Sequence, residues 1–394
     1  MYNLTRISKR CCACNACTNV CPKNCISNLQ DAEGFMYAVK DLDICIECGL
    51  CEKVCQYIQP TSNTIGAKAI YAGYNKDEEV RLKSSSGGVF ALLAKDTIQR
   101  GGVVFGAKFN EHLEVVHGSV ENEEDLPMLY ESKYVQSDIG LSFRKVKDFL
   151  KKGREVLFCG TPCQIRGLRL YLREQVYNNL ILVDFVCHGV PSPGVWQKYL
   201  DETLGKTGLK RGGIKVSFRS KFRGWKNFGF SIHEISENKT ILMDGMYENP
   251  FLHGFLANLY LRKSCTQCPV KNFSSGSDIT ICDAWGIEKY HSEIDDDKGC
   301  SMICVLTEKG ERAYTSISDK INSIPCESDI LRRHNPAAYE SAKLHKRHKK
   351  FFKLQKKGLT VAESVKICLP PPSYFDKIVW SINKRIKKYV KKES

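Results

Sequence analysis

The sequence predicts an α/β (α+β) chain: a small cysteine-rich N-terminal module, a mixed-sheet α/β body and a basic helical tail. Three observations predict it. Ten of the 20 cysteines fall within the first 55 residues. Beyond residue 66, apolar runs of strand length alternate with stretches of helical periodicity. Past residue 343 the charge turns strongly positive. With 394 residues and 42% hydrophobic content, the chain is long enough for two or three domains with a real core. No uninterrupted apolar run reaches the roughly 18 residues that a membrane span needs.

The N-terminal cysteines form two runs of one spacing. Cys11, Cys14, Cys17 and Cys21 are followed by Pro22, and Cys45, Cys48, Cys51 and Cys55 by Gln56. This is the ligand spacing of a bacterial two-cluster ferredoxin, so residues 1–60 read as a domain holding two 4Fe-4S clusters. Three thiolates two residues apart wrap three corners of a cubane, and the fourth is too far along to close the loop. The spacing therefore pairs Cys11, Cys14 and Cys17 with Cys55, and Cys45, Cys48 and Cys51 with Cys21. Zinc prefers paired Cys-x-x-Cys knuckles to a run of four. Disulfides need an oxidising compartment, and Met1–Arg10 has no apolar core of a secretory leader, which points to the cytoplasm. Cys12 and Cys25 fall outside the spacing and read as packing thiols.

Gln59–Thr64 reads as a linker. Strands are expected at Ala69–Tyr74, Gly102–Ala107, Leu113–Val120, Glu155–Cys159 and Leu180–Cys187, and helices at Gly87–Gln99, Leu141–Lys151 and Gln164–Leu172. That alternation makes 67–190 an α/β domain. Residues 191–335 are richer in strands, at Lys215–Arg219, Phe228–Ile235, Thr240–Asp244, Asp278–Cys282 and Ser301–Leu306, with a helix over Glu248–Leu261. Residues 336–394 form the basic helical tail. Of the net charge of +15, all but +2 lies between Lys343 and Ser394, so the body is nearly neutral, which argues against a nucleic-acid groove.

Several motifs sit where chemistry would be expected. Ser84, Ser85, Ser86, Gly87 and Gly88 precede a helix. They read either as a phosphate cradle at a helix N-terminus or as a serine cap with a glycine turn. Cys159-Gly160-Thr161-Pro162-Cys163-Gln164 and the Cys187-His188-Gly189 turn each follow a strand, where sites gather in α/β sheets. With Cys265 and Cys268, Cys163 and Cys187 make four thiols, enough for a third cluster; each also reads as a packing cysteine or half of a redox pair.

In order along the chain, the stretches 84–88, 131–137, 159–164, 184–193 and 277–286 resemble the coenzyme F420 hydrogenase/dehydrogenase family of beta subunits, here joined to a two-cluster ferredoxin. The nearest likeness is to bacterial members linked to surface-polysaccharide gene sets. The resemblance spans roughly residues 1–330. It implies a flavin-binding (FAD or FMN) α/β domain that exchanges electrons with iron–sulfur clusters, and an oxidoreductase whose substrate is an organic molecule or a deazaflavin. It implies that Ser85, Ser86, Gly87 and Gly88 cradle the flavin diphosphate, with Lys133 and Tyr134 nearby. It also implies that Cys163, Cys187, Cys265 and Cys268 hold a third 4Fe-4S cluster. The family often has glycine where Cys282 precedes Asp283. His188 reads as a proton donor or as a structural histidine, and Trp225 as a flavin contact or a core aromatic.

The expected partner is a ferredoxin or another electron-transfer protein. The alternative to an enzyme is a non-catalytic subunit that supplies electrons to one. Phe375, Ile378, Val379, Ile382, Ile386 and Val390, interleaved with lysines, predict a basic amphipathic helix. It would lie on an anionic membrane surface at the inner face or dock on protein.

Overall fold

The computed structural model describes residues 10–60, 66–205 and 207–371. The expected C-terminal amphipathic helix, and most of the expected linker, fall outside these residues.

The N-terminal module consists of helix α1 (Ala16–Val20), the antiparallel hairpin β1 (Ile26–Gln30) and β2 (Met36–Lys40), and helix α2 (Leu50–Lys53). Its two cysteine runs repeat in backbone as well as spacing. Ala13 and Glu47, each two residues after the first cysteine of its run, have φ of 53° and 52°. Asn15 and Gly49, two residues further on, cap α1 and α2 in the left-handed region, at φ 57° and 72°. These left-handed residues turn the backbone tightly around each cysteine loop.

The body begins with β3 (Ala69–Asn75), α3 (Glu78–Leu82), α4 (Val89–Gln99), β4 (Val103–Phe109), β5 (Val115–Val120), α5 (Ser142–Lys151), β6 (Val156–Gly160), α6 (Pro162–Tyr171), β7 (Leu180–Phe185) and α7 (Pro193–Leu204). It continues with β8 (Ile214–Ser220), β9 (Gly229–Glu234), β10 (Lys239–Gly245), α8 (Pro250–Leu256), β11 (Ile279–Asp283), β12 (Ser301–Val305), α9 (Glu308–Thr315), β13 (Ile321–Pro325), α10 (Ser328–His334), α11 (His348–Lys356) and α12 (Val361–Cys368).

Eight strands form one mixed sheet in the order β13-β3-β12-β11-β7-β6-β4-β5. The pairs β4–β6, β6–β7 and β7–β11 are parallel, and the flanking pairs are antiparallel. Central strand β7 is buried from Leu180 through Asp184, as a strand covered on both faces must be. Helices α5 and α6 pack on one face through Phe143, Val146, Ile165 and Leu168. Helices α4 and α9 pack on the other through Leu92, Leu93 and Ala313. The sheet draws strands from both sides of residue 190, because β11, β12 and β13 return to it. The antiparallel sheet β10-β9-β8 stands apart and packs with α7, α8, α11 and α12 around the buried rings of Trp196, Phe218, Phe230, Phe251 and Phe351.

Most expected elements coincide with the structure to within two or three residues. The helix expected over Glu248–Leu261 is shorter. It ends at Leu256, and Asn258 at φ 60° breaks the turn. Strand β13 and helices α7 and α9 are not among the expected elements. They take their structure from pairing with β3 and from burial against the sheets.

The module docks on the body through polar contacts that mostly involve its backbone. Gly34 in the hairpin turn approaches α7 so closely that a Cβ there would lie 2.6 Å from the Gly194 Cα. Asn15 Nδ2 donates to Asp138 Oδ1 at 2.6 Å, and Arg144 donates to the carbonyls of Asn19 and Cys21 at 2.7 and 2.8 Å. The deepest contact is Arg262, fully buried, which donates to the Cys11 carbonyl at 2.8 Å, the Met36 carbonyl at 2.8 Å and Gln136 Oε1 at 2.9 Å. Arg262→Leu leaves one buried and two part-buried acceptors unpaired, at up to about 1–3 kcal/mol each before relaxation. We expect a destabilisation of at least about 2 kcal/mol in denaturant unfolding, with protease cleavage of the module before the body. Cleavage at the wild-type rate would show that the contact does not hold the module.

Candidate functional site

The structure gathers the N-terminal cysteines into two cages. Cys11, Cys14, Cys17 and Cys55 line one cavity, together with Cys12 and Cys51. Cys21, Cys45, Cys48 and Cys51 line a second, with Cys25 beside them. The fourth cysteine of each run thus faces the first three of the other. Backbone amides point at the cage sulfurs: Ala13 N–H donates to Cys11 Sγ at 3.3 Å and Glu47 N–H to Cys45 Sγ at 3.2 Å. Amide donors toward sulfur suit thiolates bound to iron. The 20 cysteines are all free thiols, so no disulfide competes for these groups.

A larger cavity of about 640 Å³ opens at the carboxyl ends of β4, β6, β7 and β11. Ser84, Ser85, Ser86 and Gly88 line it at the start of α4; Lys133 and Tyr134 line it from the segment before α5. Gly88 has φ +79° at the N-cap, which a side chain would strain. Gly87 does not face the cavity. A Cβ there would sit 2.5 Å from the Gly73 carbonyl oxygen and 2.9 Å from the Ser301 amide nitrogen, so it is glycine for close strand packing. The start of this 11-residue helix has no side-chain cap, and first-turn N–H groups of this kind favour an anion. Lys133 adds a charge. Its Nζ donates to the carbonyls of Tyr130 and Glu131, and burial pushes its pKa down to about 8, a cost that a bound anion would relieve.

Residues that the sequence did not single out complete the wall. Arg219, from the end of β8, makes a two-pronged pair with Asp283 at 2.9 and 3.0 Å and also donates to the Tyr134 hydroxyl and the Ser85 carbonyl, each at 3.0 Å. Its buried Nε has no hydrogen-bond partner. Trp225 is a core ring rather than a lining one. It stacks on Trp285 at 4.7 Å and donates to Asp283 Oδ1 at 3.1 Å, while Trp285 faces the cavity. An unpaired buried donor, a half-buried lining indole, a buried lysine and a small-residue helix start together fit a planar cofactor with a phosphate arm.

Cys163 and Cys187 also line the large cavity. Cys163 lies in the first turn of α6, which starts with a Thr161–Gln164 capping box and Pro162. Cys187 follows β7, and Cys265 and Cys268 come from the short 3-10 helix Lys263–Gln267 and the residue after it. The four thiols lie close enough for each to feel the others' charge. They fit a cluster site between the N-terminal module and the cavity. His188 lines the cavity as well, with Nε2 at 2.5 Å from Asn258 Oδ1.

His117 carried no sequence signal. Buried beside β6, it binds the Cys159 carbonyl through Nε2 at 3.0 Å and Ser137 Oγ through Nδ1 at 2.9 Å. Burial is the main cause that lowers its pKa from 6.5 to about 4.

The fold and site define a mixed α/β protein with two cysteine cages and a large cavity at the ends of its parallel strands. Residues 153–327 match the family model for the C-terminal part of the beta subunits of coenzyme F420 hydrogenase/dehydrogenase. Over that stretch, the chain is similar to the beta subunits of coenzyme F420 hydrogenase/dehydrogenase. It is 23% identical over 184 residues to an F420H2 dehydrogenase subunit of Methanosarcina mazei, covering 44% of this chain and 51% of that protein. The chain therefore spans about half the length of this relative. It also aligns with a chain of the F420-reducing NiFe hydrogenase complex of Methanosarcina barkeri, from a xenon-derivatised structure. There the TM-score is 0.46 and the identity 15%, over 80% of this chain and 96% of that one. Among the described residues no helix is long and apolar enough to cross a membrane.

His117 generates a pH prediction. Between pH 6.5 and 4 the unfolded chain binds a proton at this histidine that the folded chain refuses, so stability falls as pH drops through that window. The loss reaches about 3 kcal/mol near pH 4. His117→Gln should flatten this part of the profile in denaturant titrations at stepped pH; an unchanged slope would assign the loss to other groups.

Proposed function

We propose that this protein is an iron–sulfur flavoprotein oxidoreductase that takes single electrons from a carrier protein and delivers pairs to an organic substrate or a deazaflavin. One observation carries the proposal. Thiols run without a break from exposed Cys48, through Cys51 on the wall of both cages, to Cys12 and Cys14, and on to Cys163 and Cys187 on the wall of the large cavity. Clusters exchange single electrons, and a flavin accepts or releases one or two, so the pair converts between the two kinds of carrier.

The residues divide the work. Cys11, Cys14, Cys17 and Cys55 would hold one 4Fe-4S cluster, and Cys21, Cys45, Cys48 and Cys51 another. Cys163, Cys187, Cys265 and Cys268 would hold a third. Ser85, Ser86, Gly88 and Lys133 would receive the diphosphate arm of FAD, with Tyr134 and Trp285 beside its rings. Arg219, clamped by Asp283, fixes a positive charge at the cavity wall. His188 stands on the same wall as a proton donor for substrate. The carrier would dock at the outer cage, where Cys48 is exposed and Leu42, Ile44 and Ile46 are 61%, 50% and 55% exposed around it. That patch suits a ferredoxin or a similar one-electron protein in the cytoplasm. If the purified chain holds its cofactors but reduces nothing without a partner enzyme, it is a supply subunit instead.

Anaerobic purification with metal and flavin analysis tests the reading. About eight irons are expected from two cubanes and about twelve from three, with about one flavin. Fewer than about six irons with no flavin would refute it. Cys163→Ser should lower the count by about four while leaving the N-terminal clusters. Because Lys133 binds an anion best when protonated, flavin affinity should fall as pH rises through about 8. Lys133→Met should weaken binding about tenfold or more and remove that pH dependence, measured by flavin fluorescence titration.

A further inference from the structure

Lys221 stands one residue past the end of β8, two positions after Arg219. The two basic residues take consecutive carbonyls of the Ser84–Ser86 loop. Arg219 Nη2 donates to the Ser85 carbonyl at 3.0 Å, and Lys221 Nζ to the Ser86 carbonyl at 2.9 Å. Lys221 Nζ also donates to the carbonyls of Arg81 at 2.8 Å and Lys298 at 2.7 Å. Its three N–H groups thus join α3, the loop and the turn before β12. The loop side chains are held as well: Ser86 Oγ donates to the Cys300 carbonyl at 2.6 Å, and Ser132 N–H to Ser85 Oγ at 2.6 Å. Gly299, at φ +117°, makes room for this approach. A Cβ there would collide with the Ser86 carbonyl oxygen and lie 2.7 Å from Lys221 Nζ.

Three cations therefore stand beside the loop, and they are not balanced alike. Arg81 pairs with Asp296 at 2.8 Å and Arg219 with Asp283 at 2.9 Å. Lys221 has carbonyls alone: among the described residues no carboxylate stands within 4.0 Å of its Nζ. Burial, with the charges of Arg219 and Arg81, draws its pKa down to about 7, and an anion at the loop would steady its proton.

Resting on the flavin reading above, we propose that Lys221 is a positioning residue that makes the Ser84–Ser86 loop a site for a phosphate-bearing ligand in preference to a neutral one. It acts from behind the wall, since it does not line the cavity. A carbonyl oxygen turned toward the cavity would repel a phosphate, and Lys221 holds that of Ser86. Its charge, cancelled by no paired carboxylate, adds to the field of the helix start. Lys133, whose Nζ is likewise bound by two carbonyls, meets the loop from the segment before α5. Two lysines solvated in this way are balanced by a ligand with two negative charges, such as a diphosphate.

The test compares FAD with riboflavin, which has the same ring system and no phosphate. Both are titrated by fluorescence into full-length protein purified anaerobically and washed free of flavin, at pH 6, below the Lys221 value. The wild type should prefer FAD. Lys221→Met should cost FAD about tenfold in affinity and leave riboflavin within about twofold. Lys221→Arg, which keeps the charge and the donors, should recover most of the FAD affinity. Lys221→Gln, which keeps N–H donors for the carbonyls, carries the test if Lys221→Met does not fold, and should also lower the preference. An unchanged FAD preference in the neutral variant overturns the assignment. Equal losses for FAD and riboflavin overturn it too, because they mark a purely structural lysine. A wild type that binds neither flavin defeats the flavin reading and this assignment with it; a wild type that prefers FAD, with variants that match it, defeats this assignment alone.

Discussion

The buried guanidinium of Arg262 is the contact on which the arrangement of the whole molecule depends. Its donors reach the backbone of Cys11 at the start of the first cage, the backbone of Met36 in the hairpin and the side chain of Gln136 in the body. The rings of Phe35 and Tyr37 lie 5.4 and 4.4 Å from its charge. No carboxylate is among these partners, so the charge is solvated by carbonyls and π faces of two separate units. Each unit alone would leave that charge half-satisfied, which ties their relative position to the hydrogen bonding of one side chain.

Position is what a relay needs most. The cages, the inner cysteine group and the large cavity are built on different elements, from a loop at Cys11 to a 3-10 helix at Cys265. They converge because the module is clamped over α6 and the chain after α8. Ala16 and Val54 of the module join the same apolar cluster as Phe143, Ile165 and Leu168 of α5 and α6, so burial and hydrogen bonding fix the same interface. The cavity lies where the parallel strands end, the place at which an α/β sheet leaves room for a ligand.

The cysteine spacing could be read from sequence because a short loop around a group imposes its own periodicity. The central strands could be read because burial on both faces demands continuous apolar runs such as Leu180–Val183. Ser84–Gly88 could be read as a helix start, though Gly87 turned out to serve sheet packing, which no local pattern distinguishes from ligand approach. Arg219, His117 and Arg262 were not legible as a site. Each acquires its role from partners between 20 and 251 positions away, and a single basic or imidazole side chain has no period. Gln56 was visible only as a broken rule, and its hydrogen bonds to Cys12 Sγ and the Cys163 carbonyl became visible only in three dimensions.

The two cages differ in their cover. Tyr57, Val54 and the body wall in the first, whereas Cys48 opens the second to solvent. Dissolved oxygen and chelators would therefore meet the outer site first, and injury would proceed inward in a fixed sequence. The outermost group would act as a fuse. On the proposed relay reading, a molecule exposed to air would lose electron entry before its cavity was touched, and refilling one shallow site would restore it.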